Sequence, residues 1–421
     1  MPNAEPAMKA ETAGTGLRAI LVATVVAGAL GYAIQLLAPA LLTDDAAYVA
    51  FSVYWSTLYL CVAALSGVQQ EVTRAARPVV DEPPTPVLRQ FTLIAIGVVL
   101  AAVAVLALLF GNEILPDSTV ALAVCLAIGV VGYLMVAVLS GVLYGLRLWL
   151  AVAWLTIVDA GIRAVLVVIA LALGLAPEWI ALAVSVPFGL AFLAVWLRTR
   201  PTVVGAFRLD VRLRRLIAHT LGTVVAAASM GAMLSGLPMF LGLTAHRSET
   251  AVLAGLILAV TLTRAPIVVP LLALQSYFIS IFREGGRGML RRILLALATA
   301  AGGVLLLSVA AWFIGPFVIG LVSSGRFEIS SAMMAVITAS AGLVALMCIT
   351  GPALVSQSRH VPYAAGWLVA ALLTVGFLLL PLPMEARLTA ALLVPPAIGL
   401  VTHLIELVRT VDSMPSSPVA G

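Results

Sequence analysis

Twelve apolar stretches of membrane-spanning length divide this 421-residue chain, and its basic residues gather in every second gap between them. A run of about 20 predominantly apolar residues is long enough to cross the bilayer core as a helix. The runs cover 17–42, 47–72, 88–111, 119–145, 149–174, 177–197, 216–243, 250–281, 290–315, 329–356, 361–381 and 386–408. Turn and charge signals separate them, among them Thr43-Asp44-Asp45, Gly111-Asn112-Glu113 and Gly174-Leu175-Ala176-Pro177. With 63% hydrophobic and 10% charged residues, there is too little polar surface to cover a water-soluble fold. The expectation is an all-α polytopic membrane protein of twelve transmembrane helices.

Orientation follows from the basic residues, because Lys and Arg are retained on the cytoplasmic side while acidic residues weigh little. Lys9 and Arg18 precede the first span. Arg74, Arg77 and Arg89 surround the second gap, Arg147 the fourth, and Arg198, Arg200, Arg208, Arg212, Arg214 and Arg215 the sixth. Arg283, Arg287, Arg291 and Arg292 fill the eighth gap, Arg359 the tenth, and Arg409 the tail. Only Arg247, Arg326 and Arg387 stand on the other side. Both termini are therefore expected in the cytoplasm and the chain in the cytoplasmic membrane. Topology accounts for the net charge of +5, and no basic run interleaves with aromatics as a nucleic-acid surface would. Cys61, Cys125 and Cys348 all fall inside spans without metal-like spacing, and read as small core residues. No cofactor is expected.

The longest basic connection divides the chain in two: a tail at 1–16, a six-helix lobe at 17–197, a linker at 198–215, a second six-helix lobe at 216–408 and a tail at 409–421. The halves echo each other. Gln69 and Arg77 stand eight apart at the end of the second span, as do Gln275 and Arg283 at the end of the eighth. Arg147 and Arg359 hold the same place before a following span. An even number of helices per half makes both insert the same way, related by an axis along the membrane normal. Two pseudo-symmetric bundles around a central cleft are the expected architecture.

An ionisable residue at membrane depth costs a few kcal/mol and normally faces a cavity or a partner. Asp159 lies ten residues into the fifth span, roughly 15 Å deep, with Arg163 one turn further. The two either neutralise each other as an i,i+4 pair or line the cleft. Arg264 lies near the middle of the eighth span with no acidic residue within one turn. Pro266 and Pro270 follow it, and each removes a backbone hydrogen bond, so a kink or gating bend is expected there. Arg264 then reads as an anion site, or as the partner of a distant carboxylate. Gln35 and Gln275 are candidates to hydrogen-bond sugars or to bridge helices.

Three segments carry a family resemblance. AYVAFSVYWSTLYLCVAALSGVQQEVTRAAR resembles the opening of lipid-linked oligosaccharide flippases: Tyr48 and Phe51 match, Val49 and Ala50 replace the usual glycine region, and Gly67 to Arg74 approximates the exit of the second helix. TLTRAPIVVPLLALQ is similar to the family's eighth helix through Arg264, Pro266 and Gln275. GPFVIGLVSSGRFEISSA resembles the lead into the tenth helix through Gly315, Gly325, Phe327 and Ser330. The family is the polysaccharide-flippase branch of the multidrug/oligosaccharidyl-lipid/polysaccharide (MOP) exporter superfamily, whose fold is MATE-like. The resemblance implies two lobes that alternate between inward- and outward-open forms, and a cationic central cavity that accepts a polyprenyl-pyrophosphate-linked glycan. In this chain Arg264 fits the pyrophosphate role best and Arg163 second. Some relatives carry more cavity cations and extra helices for the lipid tail, so the substrate here is smaller or different.

The function expected is flipping of an anionic lipid-linked glycan across the bilayer, beside glycosyltransferases or a polymerase of cell-surface polysaccharide assembly. A cation-coupled multidrug exporter of the same superfamily is the alternative, and would need a carboxylate in the cavity. A membrane glycosyltransferase would use Asp44-Asp45, but their loop is too short to shape an active site, and His403 offers an acyltransferase no evident partner. The chain reads as a transporter without catalytic residues.

Overall fold

The computed structural model describes residues 13–79, 86–114, 119–244, 250–273, 286–357 and 359–412. The first half holds helices α1 (Ala13–Leu41), α2 (Asp45–Ala75), α3 (Val87–Ile114), α4 (Thr119–Gly145), α5 (Trp149–Ala172) and α6 (Pro177–Val203). The second holds α7 (Leu213–Leu234), α8 (Leu237–Thr244), α9 (Thr250–Ala273), α10 (Gly286–Val322), α11 (Ser331–Ser356), α12 (His360–Leu378) and α13 (Met384–Asp412). Twelve of these helices are long and apolar enough to cross a membrane. In lipid a helix satisfies its own backbone hydrogen bonds, so long apolar runs have few other options.

Packing repeats between the halves. In the first, α1 packs on α5, α2 on α4, α3 on α4, α4 on α6, and α5 on α6. In the second, α7 packs on α12, α9 on α11, α10 on α11, α11 on α13, and α12 on α13. Each pair of the first set becomes one of the second when every helix is replaced by its counterpart six spans later. Burial follows the same rule: α4 and α11 are the most enclosed helices, while α3 and α10 turn most of their apolar side chains outward. The chain is therefore two pseudo-symmetric six-span bundles. With an even number of spans, the first and last described residues lie on one side of the membrane, here called the terminal side.

Two features depart from a plan of helices and plain loops. The chain after α2 forms a short strand, β1 (Ala76–Pro78), which pairs antiparallel with β2 (Phe207–Leu209) between α6 and α7, Ala76 opposite Leu209. The basic connection is thus tied to the first lobe; Asp210 N–H also donates to the Ala75 carbonyl at 3.0 Å. The run 216–243 also breaks at Ser235-Gly236 and restarts as α8. Pro238 sits at the start of α8, where a missing N–H costs nothing and the fixed φ suits a first turn.

The lobes meet along a seam between α2 and α7, built on small residues. A Cβ at Gly67 would stand 2.5 Å from the Thr223 carbonyl carbon, and one at Gly231 would collide with Ala63. The Thr223 hydroxyl donates to the Gly67 carbonyl at 2.9 Å. Such close approach is the usual basis of helix association in lipid. Gly67→Ala is expected to force the helices apart and lower unfolding stability by about 1–3 kcal/mol, read as a lower melting temperature in detergent; an unchanged value would show that the seam is loose.

Candidate functional site

A cavity of about 250 Å³ lies between the lobes. Gln35 of α1 and Ser52, Trp55, Ser56 and Tyr59 of α2 form its wall on the first lobe; Leu234, Ser235, Pro238, Val260, Thr261, Arg264 and Val268 form the other. Ser56 is eleven residues into α2, roughly 16 Å along the helix, so the cavity sits at mid-membrane depth.

The broken helix lies against this cavity. Interrupting α7 frees carbonyl groups that a continuous helix would pair, and a freed carbonyl in an apolar setting needs a donor. Ser56 bridges the break: its hydroxyl donates to the Ser235 carbonyl and accepts from Met239 N–H at 3.2 Å. Arg264 donates from Nη1 to the carbonyl of Met233. Its side chain is 7% exposed, and among the described residues no carboxylate lies within 4.0 Å of it. Among the described residues, one hydrogen bond to a neutral carbonyl leaves the guanidinium charge uncompensated and several of its five donors directed elsewhere. The chain stays helical through Pro266 and Pro270. The interruption beside Arg264 comes from the neighbouring span, not from the prolines that follow it.

Arg163 is held differently. Its Nε donates to the Val184 carbonyl at 3.0 Å, Nη1 to the Tyr59 hydroxyl at 2.7 Å and Nη2 to Asp159 at 2.5 Å. The guanidinium also lies 4.0 Å from the centre of the Phe188 ring, a stacked cation–π contact. It is 4% exposed and does not line the cavity. Of the two readings open for the Asp159–Arg163 pair, the geometry shows an ion pair satisfied within the first lobe. Tyr59 connects this pair to the cavity: it faces the cavity, takes the Arg163 bond, and stacks on Trp55 with ring centres 4.8 Å apart and planes 13° off parallel. Neither Tyr59 nor Ser56 stands out in the sequence. Gln35 is in the cavity wall, and Gln275 lies outside the described residues.

The lobes also touch above and below the cavity. On the side opposite the termini, Arg326 of the second lobe donates to the Thr43 carbonyl at 2.6 Å and to the Pro39 carbonyl, and pairs with Asp45 at 3.3 Å. Phe327 stacks on Tyr48 with ring centres 5.7 Å apart. Asp44 caps α2 by accepting from Ala47 N–H at 3.0 Å, so both acids of that loop have structural work. On the terminal side, buried Glu71 accepts from Arg74 at 2.5 and 2.8 Å and meets His219 of α7 at 3.3 Å. His403 is fully buried inside the second lobe, between the Thr350 hydroxyl at 2.9 Å and the Tyr363 carbonyl at 3.1 Å.

No family model matches the chain. The uncharacterized protein Rv3630 of Mycobacterium tuberculosis is 31% identical over 92% of this chain and 91% of its own length. The chain belongs to the same family as that protein. A second uncharacterized M. tuberculosis protein, Rv1510, is 30% identical over 86% of this chain and 84% of its own. Among solved structures, the lipid II flippase MurJ in an inward closed conformation superposes with a TM-score of 0.64 at 11% identity, over 92% of this chain and 87% of that one. A multidrug resistance MATE family transporter of the MOP superfamily superposes with 0.63 in its outward-facing form, at 13% identity over 95% of this chain and 97% of that one. Its inward-facing form gives 0.62 at 14% identity, over 94% and 100%. The family of Rv3630 thus has the MATE/MOP fold.

Proposed function

We propose that this protein is a transporter that moves an anionic lipid-linked glycan, of the polyprenyl-pyrophosphate class, across the cytoplasmic membrane by alternating access. The observation that carries the reading is Arg264: a guanidinium at mid-membrane depth, in a cavity between two lobes, without a carboxylate partner among the described residues. A buried cation of this kind is poised to accept phosphate oxygens. Gln35, Tyr59 and Trp55 in the same wall supply amide, hydroxyl and aromatic surfaces suited to a sugar. The cavity's 250 Å³ is below the roughly 300–1,000 Å³ of ordinary ligand pockets. The lobes must therefore part to admit substrate, releasing the Arg326 contacts on one side or the α7 contacts of Glu71 on the other. No covalent chemistry is required, and the fold's solved examples include both a flippase and drug transporters.

A cation-coupled exporter would need an acidic group in the cavity. Among the described residues no acid lines it, and Asp159, the acid at depth, is engaged by Arg163. The deciding experiment reconstitutes the purified protein in vesicles with a fluorescent polyprenyl-pyrophosphate disaccharide in the outer leaflet, and follows its loss from a membrane-impermeant quencher. Faster protection than in protein-free vesicles is expected, with an uncharged prenyl glycoside of the same length moved far more slowly. Equal rates for both lipids, or none above background, would reject the proposal.

A further inference from the structure

Between α10 and α11 the second lobe makes a turn that reaches onto the first lobe on the side opposite the termini, the far side. Ser324 and Gly325 both take positive φ there, 55° and 80°, which closes the turn tightly. The Ser323 hydroxyl accepts from Phe327 N–H at 3.2 Å, and Gly325 N–H donates to the Gly320 carbonyl at 2.6 Å. Arg326 and Phe327 are thereby presented as one unit, with the guanidinium 5.0 Å from the centre of the Phe327 ring. Arg326 grips the end of α1 and the start of α2 through Pro39, Thr43 and Asp45. The Phe327 ring is buried on Tyr48.

Beneath this turn are two side chains that the closed lobes leave unsatisfied. Tyr48 is fully buried and Ser52 is 3% exposed. Neither hydroxyl oxygen has a hydrogen-bond partner or is open to water. Thr57 and Ser66 of the same helix donate to carbonyls of α2 at 2.8 and 2.7 Å; Ser52 does not. Tyr48 and Ser52 stand one turn apart on one face, so even a bond between them would leave one O–H without an acceptor. A buried hydroxyl without a partner is costly, and here the cost falls on the closed arrangement. Both residues lie at the lobe boundary: Phe327 of the second lobe covers Tyr48, and Ser52 belongs to the wall of the central cavity. Parting the lobes on the far side gives both hydroxyls water. Tyr48, Ser52, Ser56 and Tyr59 follow one another at intervals of four, four and three, which keeps them on one face of α2. The uncovered hydroxyls then extend the polar wall of the cavity towards the far side.

We propose that Tyr48 and Ser52 are the opening element of a far-side gate: their hydroxyls favour parting of the lobes, and Arg326 holds the gate shut against them. The gate rests on the alternating lobes of the transport reading, not on the substrate assigned there. Nitroxide labels at Leu175→Cys and Leu382→Cys, each in an exposed far-side turn of its own lobe, report it through double electron–electron resonance. The labelled chain carries alanine at Cys61, Cys125 and Cys348. Arg326→Ala is expected to raise the ratio of long to short distances at least tenfold, since it removes several hydrogen bonds from a charged donor. In that background Tyr48→Phe and Ser52→Ala should each lower the ratio about fivefold, because each removes a hydroxyl that only the open form satisfies. Arg326→Gln takes the place of the alanine variant if the latter does not fold. No gain of the long distance on loss of Arg326, or an unchanged or raised ratio in either hydroxyl variant, would overturn the proposal. Flipping with none of these distance changes would reject the gate alone; the expected changes in a protein that flips no lipid would reject the transport reading alone.

Discussion

Arg264→Ala is expected to cut transport of a pyrophosphate-linked glycan by about 10–100-fold, since hydrogen bonds to a charged group contribute roughly 1.5–3 kcal/mol, while the protein stays folded. The stability half of this expectation follows from the cost of the residue. A buried charge in the lipid core costs about 2.5–3.5 kcal/mol on insertion scales. Against that, Arg264 supplies a charged donor to the Met233 carbonyl freed by the helix break, worth about 1.5–3 kcal/mol. Alanine removes both, so the melting temperature should hold or rise as activity falls. Arg264→Lys keeps the charge but not the planar fork, and is expected to fall between wild type and alanine. The measurement is initial flipping rate beside thermal unfolding, for all three proteins in the same lipid. A folded Arg264→Ala protein with the wild-type rate would remove the central residue from the transport reading.

Arg264 was legible in the sequence for the same reason that it is costly: an ionisable residue in the middle of an apolar run has no ordinary explanation. The twelve spans were legible because hydropathy alone sets them. Ser56 and Tyr59 were not, because a serine or tyrosine at membrane depth carries no such cost and occurs in many helix contacts. What gives them roles is the broken span beside them, and 216–243 reads as one uninterrupted apolar run. Gly236 and Pro238 were its local signals, weaker than Pro266 and Pro270, through which the chain remains helical. Arg163 shows the opposite limit. Its charge was visible, but three of its four contacts come from Tyr59, Val184 and Phe188 on other helices, which no spacing along one helix reveals.

Those contacts set the second large expectation. Asp159→Ala leaves the Arg163 guanidinium buried without its counter-charge, and should destabilise the first lobe by about 3–5 kcal/mol. Arg163→Ala, which strands Asp159, should cost a similar amount. Replacing both at once, as Asp159→Leu with Arg163→Met, removes the two desolvation penalties together. It should return stability to within about 2 kcal/mol of wild type, the residual being the donors lost by Val184 and Tyr59. A double-mutant cycle on unfolding in detergent measures this, and the coupling should be large because the two groups are in direct contact. Near-additive losses would mean that water reaches the pair and that Arg163 does face the cavity. The same double variant separates two mechanisms. If the pair serves only to hold the first lobe, the variant flips its substrate at close to the wild-type rate once folded. An exporter driven through Asp159 would instead lose its coupling entirely, however stable the double variant proved to be.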